Sequence, residues 1–159
     1  MSIIIKKALA IDDTATNEEF KDYLFSGTYM HITDVQRGCA FIANKIIEAG
    51  IKHDNTKMTT ADANTFIDER NAPGDFRDRS WYKAHIKNNR HHYSQHAECP
   101  DDYNLIDVIE SLVDCVMAIK ARIGQEAKMS TNYISPELLA KAFKNTIEML
   151  ESEIIVEDE

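Results

Sequence analysis

Apolar residues along this chain recur mostly at intervals of three or four, the spacing of one face of an α-helix. The first clear stripe is Val35, Cys39, Ile42 and Ile46, and Gly50 stands where such a helix would stop. Upstream, a short helix is expected from about Asn17 to Phe25, with Gly27 interrupting it. Thr59 or Thr60 can N-cap a helix reaching Ile67. The stretch Asn71 to Asp75, with Pro73 and Gly74, reads as a turn. A helix from about Asp78 then carries Trp81 and His85.

The strongest pattern runs from Asn104 to Ile123, where Leu105, Ile109, Leu112, Val116 and Ile119 share a wide apolar face that Gly124 ends. An aspartate of the preceding Cys99 to Asp102 loop is available to cap it. Ser135 and Pro136 read as N-cap and first residue of a last helix, reaching about Glu151. Ile3 to Ile5 alone suggests a strand, and the acidic tail Glu151 to Glu159 is expected to fray. The expected fold class is all-α, a single domain over residues 1–159 built as a bundle of about six helices. Its core spans about residues 17–151, without internal repeats.

Composition narrows the function classes. The chain has 159 residues and a net charge of −9, with no basic patch, so a long nucleic acid would be repelled. No apolar run approaches the roughly eighteen residues of a membrane span. The apolar start, Ile3 to Ile5, precedes its lysines instead of following them, unlike a signal peptide. A cytoplasmic protein that does not engage membranes is therefore expected. Cys39, Cys99 and Cys115 are too widely spaced for a zinc knuckle, and free thiols are expected. Small ligands and divalent cations remain as partners, and a homo-oligomer is left open.

The chemistry-bearing residues are concentrated. All six histidines lie between positions 31 and 96. His31 precedes Val35 by four residues and so extends its stripe, which would point it inward. His53 and Asp54 are adjacent in a short connection, where a turn lets both reach one cation. If the next helix persists, Trp81, His85, Asn88 and His92 share a face, while His91 points elsewhere. His85 and His92 would then be about 10 Å apart, too far for one ion unless the helix ends near Asn89. His96 lies beyond, in a polar loop expected to be peripheral. On the long helix Asp107, Glu110 and Asp114 form an acidic stripe without interleaved Lys or Arg, an arrangement that calls for a cation.

The order His31, then His53-Asp54, then His85 and His92, then a late Asp resembles the HD superfamily of metal-dependent phosphohydrolases. His53-Asp54-Asn55-Thr56-Lys57 looks like its HD-x-x-K string, and His91-His92 like the paired histidines of two-metal members. The chain is also similar to small uncharacterised phage and bacterial HD-like proteins. It departs from the cyclic-dinucleotide members, with Tyr93-Ser94-Gln95 in place of a GYP signature and Gly27 in place of a glutamate.

This resemblance implies an HD-like helical fold and a hydrolase of a nucleotide or related phosphate ester. It implies His31, His53, Asp54 and Asp114 around a first metal, and His85 and His92 around a second bridged by Asp54, with His91 in reserve. Asp114 is preferred to Asp107 because Leu112, Val113, Cys115, Val116 and Met117 surround it. Such donors suit Mn²⁺, Fe²⁺, Ni²⁺, Co²⁺ or Zn²⁺, as one or two ions. Asp54, Lys57 and Glu110 would be the catalytic groups, with Lys57, Asn89 and Arg90 on the phosphate. Two other readings fit the same residues. One is a di-iron oxygenase on this scaffold, and the other a phage-type module that binds or sequesters a nucleotide without turnover.

Overall fold

The computed structural model describes residues 2–8, 10–93 and 99–157. It is mostly helical, in keeping with the all-α reading. The first helix, α1, runs unbroken over Asn17–Lys52. Gly27 therefore does not interrupt it, and Gly50 lies inside its last turn. A helical glycine costs only about 1 kcal/mol relative to alanine, too little to end a helix flanked on both sides by helix formers. One long helix thus replaces the two expected, which leaves five α-helices among the described residues.

The chain gathers into two compact units, residues 1–45 with 147–159, and residues 46–146. In the first unit, strand β1 (Ile3–Lys6) pairs in parallel with β2 (Ile154–Glu157). Ile3 stands opposite Ile154, and Lys6 opposite Glu157. The tail expected to fray is thus partly ordered. Ile154, Ile155 and Val156 are strong strand formers, and the partner strand is equally β-branched. Arg37 of α1 donates to the carbonyl of Ile4 at 3.2 Å. His31, Val35 and Cys39 are exposed on α1, so the inward stripe expected there is not covered.

The second unit carries the histidine cluster. After α1, the chain turns through His53 and Asp54 into a 3-10 turn at Asn55–Met58. Helix α2 (Thr60–Glu69) follows, and Thr59 caps it by accepting from the amide of Asp62 at 3.2 Å. The Asn71 to Asp75 turn, with Gly74 at φ 96°, leads through a 3-10 turn at Phe76–Asp78 to α3 (Ser80–Asn88). Phe66 of α2 meets Trp81 of α3 edge to face, ring centroids 4.8 Å apart. Arg79 ties down the intervening loop by donating to the carbonyls of Arg70 and Ala72, both at 3.0 Å.

A further 3-10 turn, Arg90–His92, leaves α3. Helix α4 (Leu105–Ile123) is capped by Asn104 and not by an aspartate of the loop before it. Asn104 accepts from the amide of Ile106, and Asp107 accepts from the amide of Asn104, which completes a capping box. Helix α5 (Pro136–Glu153) starts as expected, with the Ser135 hydroxyl accepting from the amide of Leu138 at 3.2 Å. Its Thr146 accepts from the amide of Leu105 at 2.9 Å, and Asn145 donates to the carbonyl of Tyr103 at 2.7 Å. Tyr103, Ile106 and Ala142 are buried beside these contacts.

Candidate metal centre

Asp54 is the described non-glycine residue with positive φ, at 54°. Aspartate tolerates this left-handed conformation better than most residues, and such strain concentrates at functional sites. The turn swings the Asp54 carboxylate into the middle of four imidazoles. Its Oδ1 lies 3.3 Å from Nε2 of His85, 3.6 Å from Nε2 of His91 and 4.0 Å from Nε2 of His92. Its Oδ2 lies 3.5 Å from Nε2 of His53, which in turn lies 3.5 Å from Oδ1 of Asp114.

The end of α3 brings the histidines together. With helical geometry broken after Asn88, the following 3-10 turn returns His92 to His85, and their Nε2 atoms are 2.8 Å apart. It also turns His91 inward, where it is 1% exposed. The rings of His53 and His91 are 4.3 Å apart between centroids, and those of His91 and His92 are 4.0 Å apart.

Glu110 orients two of these rings. Its Oε1 accepts from Nδ1 of His53 and from Nδ1 of His91, both at 3.0 Å. Burial opposes ionisation of Glu110, but these two bonds outweigh it and hold the carboxyl below its ordinary range. An ionised carboxylate can only accept, so both Nδ1 atoms carry a proton and both Nε2 atoms point toward the Asp54 carboxylate. Burial pushes His92 down to about 3 and His85 down to about 4, so both are neutral near pH 7. Asp54 is likewise lowered: burial works against ionisation, and the Lys57 ammonium, 2.6 Å from Oδ2, overcomes it.

Two atoms are left over. Oδ1 of Asp54 and Nε2 of His91 are buried with no hydrogen-bond partner among the described residues. Buried polar atoms without a partner normally cost a fold free energy. A cation removes that cost. Two atoms each about 2.1 Å from one zinc at a tetrahedral angle lie about 3.4 Å apart. The spacings from Asp54 to His85, His91 and His53 lie near that value, and that to His92 is longer. The two Asp54 oxygens face different partner sets. Asp54, His85 and His92 could hold one ion, and His91, His92 and Asp114 or His53, His91 and Glu110 another. Groups of these residues have candidate ligand atoms within 4.8 Å of one another.

The structure thus brings together His53, Asp54, His85, His92, Glu110 and Asp114 of the residues singled out from the sequence. His31 belongs to the unit of residues 1–45 and 147–159, is exposed, and is in none of these groups among the described residues. Its stripe is uncovered, so the inward orientation expected of it is not seen. Arg90 does not present its guanidinium to a ligand. It forks onto Asp107 at 2.7 and 2.8 Å and donates to Asp102 at 3.0 Å. Asn89 is also committed, donating to the carbonyl of His85 at 2.7 Å and to Thr56 Oγ1 at 2.9 Å. Its amide nitrogen also lies 2.9 Å from Nδ1 of His85, so both residues position histidines. His96 lies outside the described residues.

His91 is the member that helical periodicity placed on the wrong side. The available signal was Asn88-Asn89, two weak helix formers just before the histidine pair. No curated protein and no solved structure matches the chain. A family profile does match residues 21–153, and on that match the chain belongs to a family of unknown function, DUF5662.

Proposed function

We propose that this protein is a metal-dependent phosphohydrolase, acting on a nucleotide or related phosphate ester. The observation that carries the reading is the facing pair of buried polar atoms without a hydrogen-bond partner among the described residues, Asp54 Oδ1 and His91 Nε2, inside a ring of imidazoles. A divalent transition metal bound there would supply Lewis acidity and a nucleophilic water near neutral pH.

The chain's own residues serve that chemistry in separable ways. Glu110 holds the Nδ1 edges of His53 and His91 and so aims their Nε2 atoms at the Asp54 carboxylate. Asp54 offers one oxygen to each side of the cluster. Lys57 has an ammonium that is half exposed beside Asp54, where it can neutralise a phosphoryl oxygen as well as the carboxylate. A chain of net charge −9 needs that local positive charge to admit an anion. The order of His53-Asp54, His85, His91-His92 and Asp114 supports the HD-like reading, with His91 taking a place that the sequence reading gave to His31.

The test is metal analysis of the purified protein, followed by phosphate release from a panel of nucleotides and simple esters. Stoichiometric metal with turnover supports the proposal. Metal with oxygen consumption and no phosphate release would favour the oxygenase reading, and nucleotide binding without turnover the sequestering module. A protein that takes up no divalent ion removes the basis of the hydrolase reading.

A further inference from the structure

A cavity of about 460 Å³ adjoins the cluster. It falls within the roughly 300–1,000 Å³ typical of small-molecule sites. Its exposed wall is mostly carbon, with Ala63, Phe66 and Ile67 from α2 and Trp81 from α3, alongside the polar Thr56, Asp62 and Asn88. At one end it is bounded by Lys57 and His85. The same two side chains touch Asp54, at 2.6 Å from Oδ2 and 3.3 Å from Oδ1. The cavity therefore adjoins the candidate metal centre, with Lys57 and His85 shared between them.

We infer that this cavity receives a planar aromatic ring of the substrate, so that the protein selects phosphate esters carrying such a ring over polyhydroxylated ones. The inference rests on the phosphate-ester reading for what lies at the His85 end. A ring packed beside Phe66 and Trp81 is buried against carbon and extends the edge-to-face pair already there. A sugar in the same place would bring hydroxyls against Ala63, Phe66 and Ile67, which have nothing to pair with them. The ring's source is either a nucleobase or a simple aryl group. The common chemistry is a flat aromatic surface joined to a phosphate.

Trp81 is the only tryptophan in the chain, so its fluorescence reports on this cavity alone. The full-length, metal-loaded protein is titrated with phenylphosphonate and with methylphosphonate, two non-hydrolysable probes that differ by the ring. Phenylphosphonate should shift the fluorescence saturably and bind at least about tenfold more tightly, a modest return for one buried ring. Ala63→Phe, which fills the cavity, and Phe66→Ala, which removes a wall, should each erase the preference, with circular dichroism showing that both fold. Equal affinity for the two probes, or a preference that survives Ala63→Phe, overturns the inference and leaves the hydrolase reading standing. Adenosine monophosphate forms a separate arm: tighter binding than phenylphosphonate assigns the ring to a nucleobase, and weaker binding assigns it to a simple aryl group. Ring-selective binding without hydrolysis of any ester upholds the cavity and sinks the hydrolase reading.

Discussion

Nδ1 of His91 lies 3.0 Å from Oε1 of Glu110, and that same oxygen takes the Nδ1 proton of His53. One carboxylate on α4 thereby sets the tautomer of two rings from two different turns. Glu110→Ala removes the one oxygen that accepts from both ring N–H groups. Metal affinity should fall about 10- to 100-fold, the usual effect of losing such an orienting partner. Chelator competition checks it, with the melting curve of the metal-free protein as the control. An unchanged affinity would mean that Glu110 does not orient the ligands.

Arg90 and Asp107 clamp the His91-His92 turn to the first turn of α4. Arg90→Ala leaves the 5% exposed Asp107 without its counter-charge. The loss should be about 2–3 kcal/mol, below the roughly 3–5 of a fully buried pair because the Arg90 side chain is 39% exposed. Adding Asp107→Asn should recover part of that loss in urea unfolding. A double variant no more stable than Arg90→Ala would place the cost elsewhere.

Asp54 has a backbone requirement as well as a chemical one. Asp54→Asn and Asp54→Ala both remove the carboxylate and should both abolish metal binding. Asparagine tolerates φ 54° and alanine does not, so the Ala variant should be less stable by about 1 kcal/mol when both are metal-free. Equal stability would show that the turn relaxes once the side chain is gone.

Metal should stabilise the folded state. At a free ion concentration of about 100 times Kd the linkage is worth about 2.7 kcal/mol. For a chain of this size that raises Tm by about 5–10 °C over the chelator-treated protein. Scanning calorimetry with and without the ion checks the value. Coincident curves would count against a preformed site.

Tyr103 is wholly buried, and its hydroxyl has no partner among the described residues. Burial, the largest cause, raises its phenol well above the ordinary range. The folded state therefore keeps a proton that the unfolded chain releases above about pH 10, so this contribution to stability is intact below pH 10 and lost as pH rises beyond it. Tyr103→Phe should gain about 1 kcal/mol at pH 7 by removing an unpaired hydroxyl, and the gain should widen at pH 11. A destabilised Phe variant would reveal a partner for the hydroxyl.

Local signals determined much of this protein before any tertiary contact was considered. The Thr59 and Ser135 caps and the Gly124 stop are properties of neighbouring residues, and they are legible because capping acts over a few positions. Leu112 and Val116 of the expected α4 apolar face, by contrast, are exposed. The acidic stripe without cations points to Glu110 and Asp114, though also to Asp107, which pairs with Arg90. His53, Asp54, His85 and His92 stand out through the HD-like order of the motif.

Only the tertiary structure decided what depends on distant segments. His91 enters the cluster because α3 stops at Asn88, and a one-residue change in a helix end rotates every later side chain by about 100°. Arg90 and Asn89 became scaffolding once Asp107 and Thr56, remote in sequence, claimed their donors. The strand at Ile154–Glu157 exists because Ile3–Lys6 pairs with it from the other end of the chain. The cavity between α2 and α3 belongs to neither helix alone, and periodicity within one element carries no information about such a space.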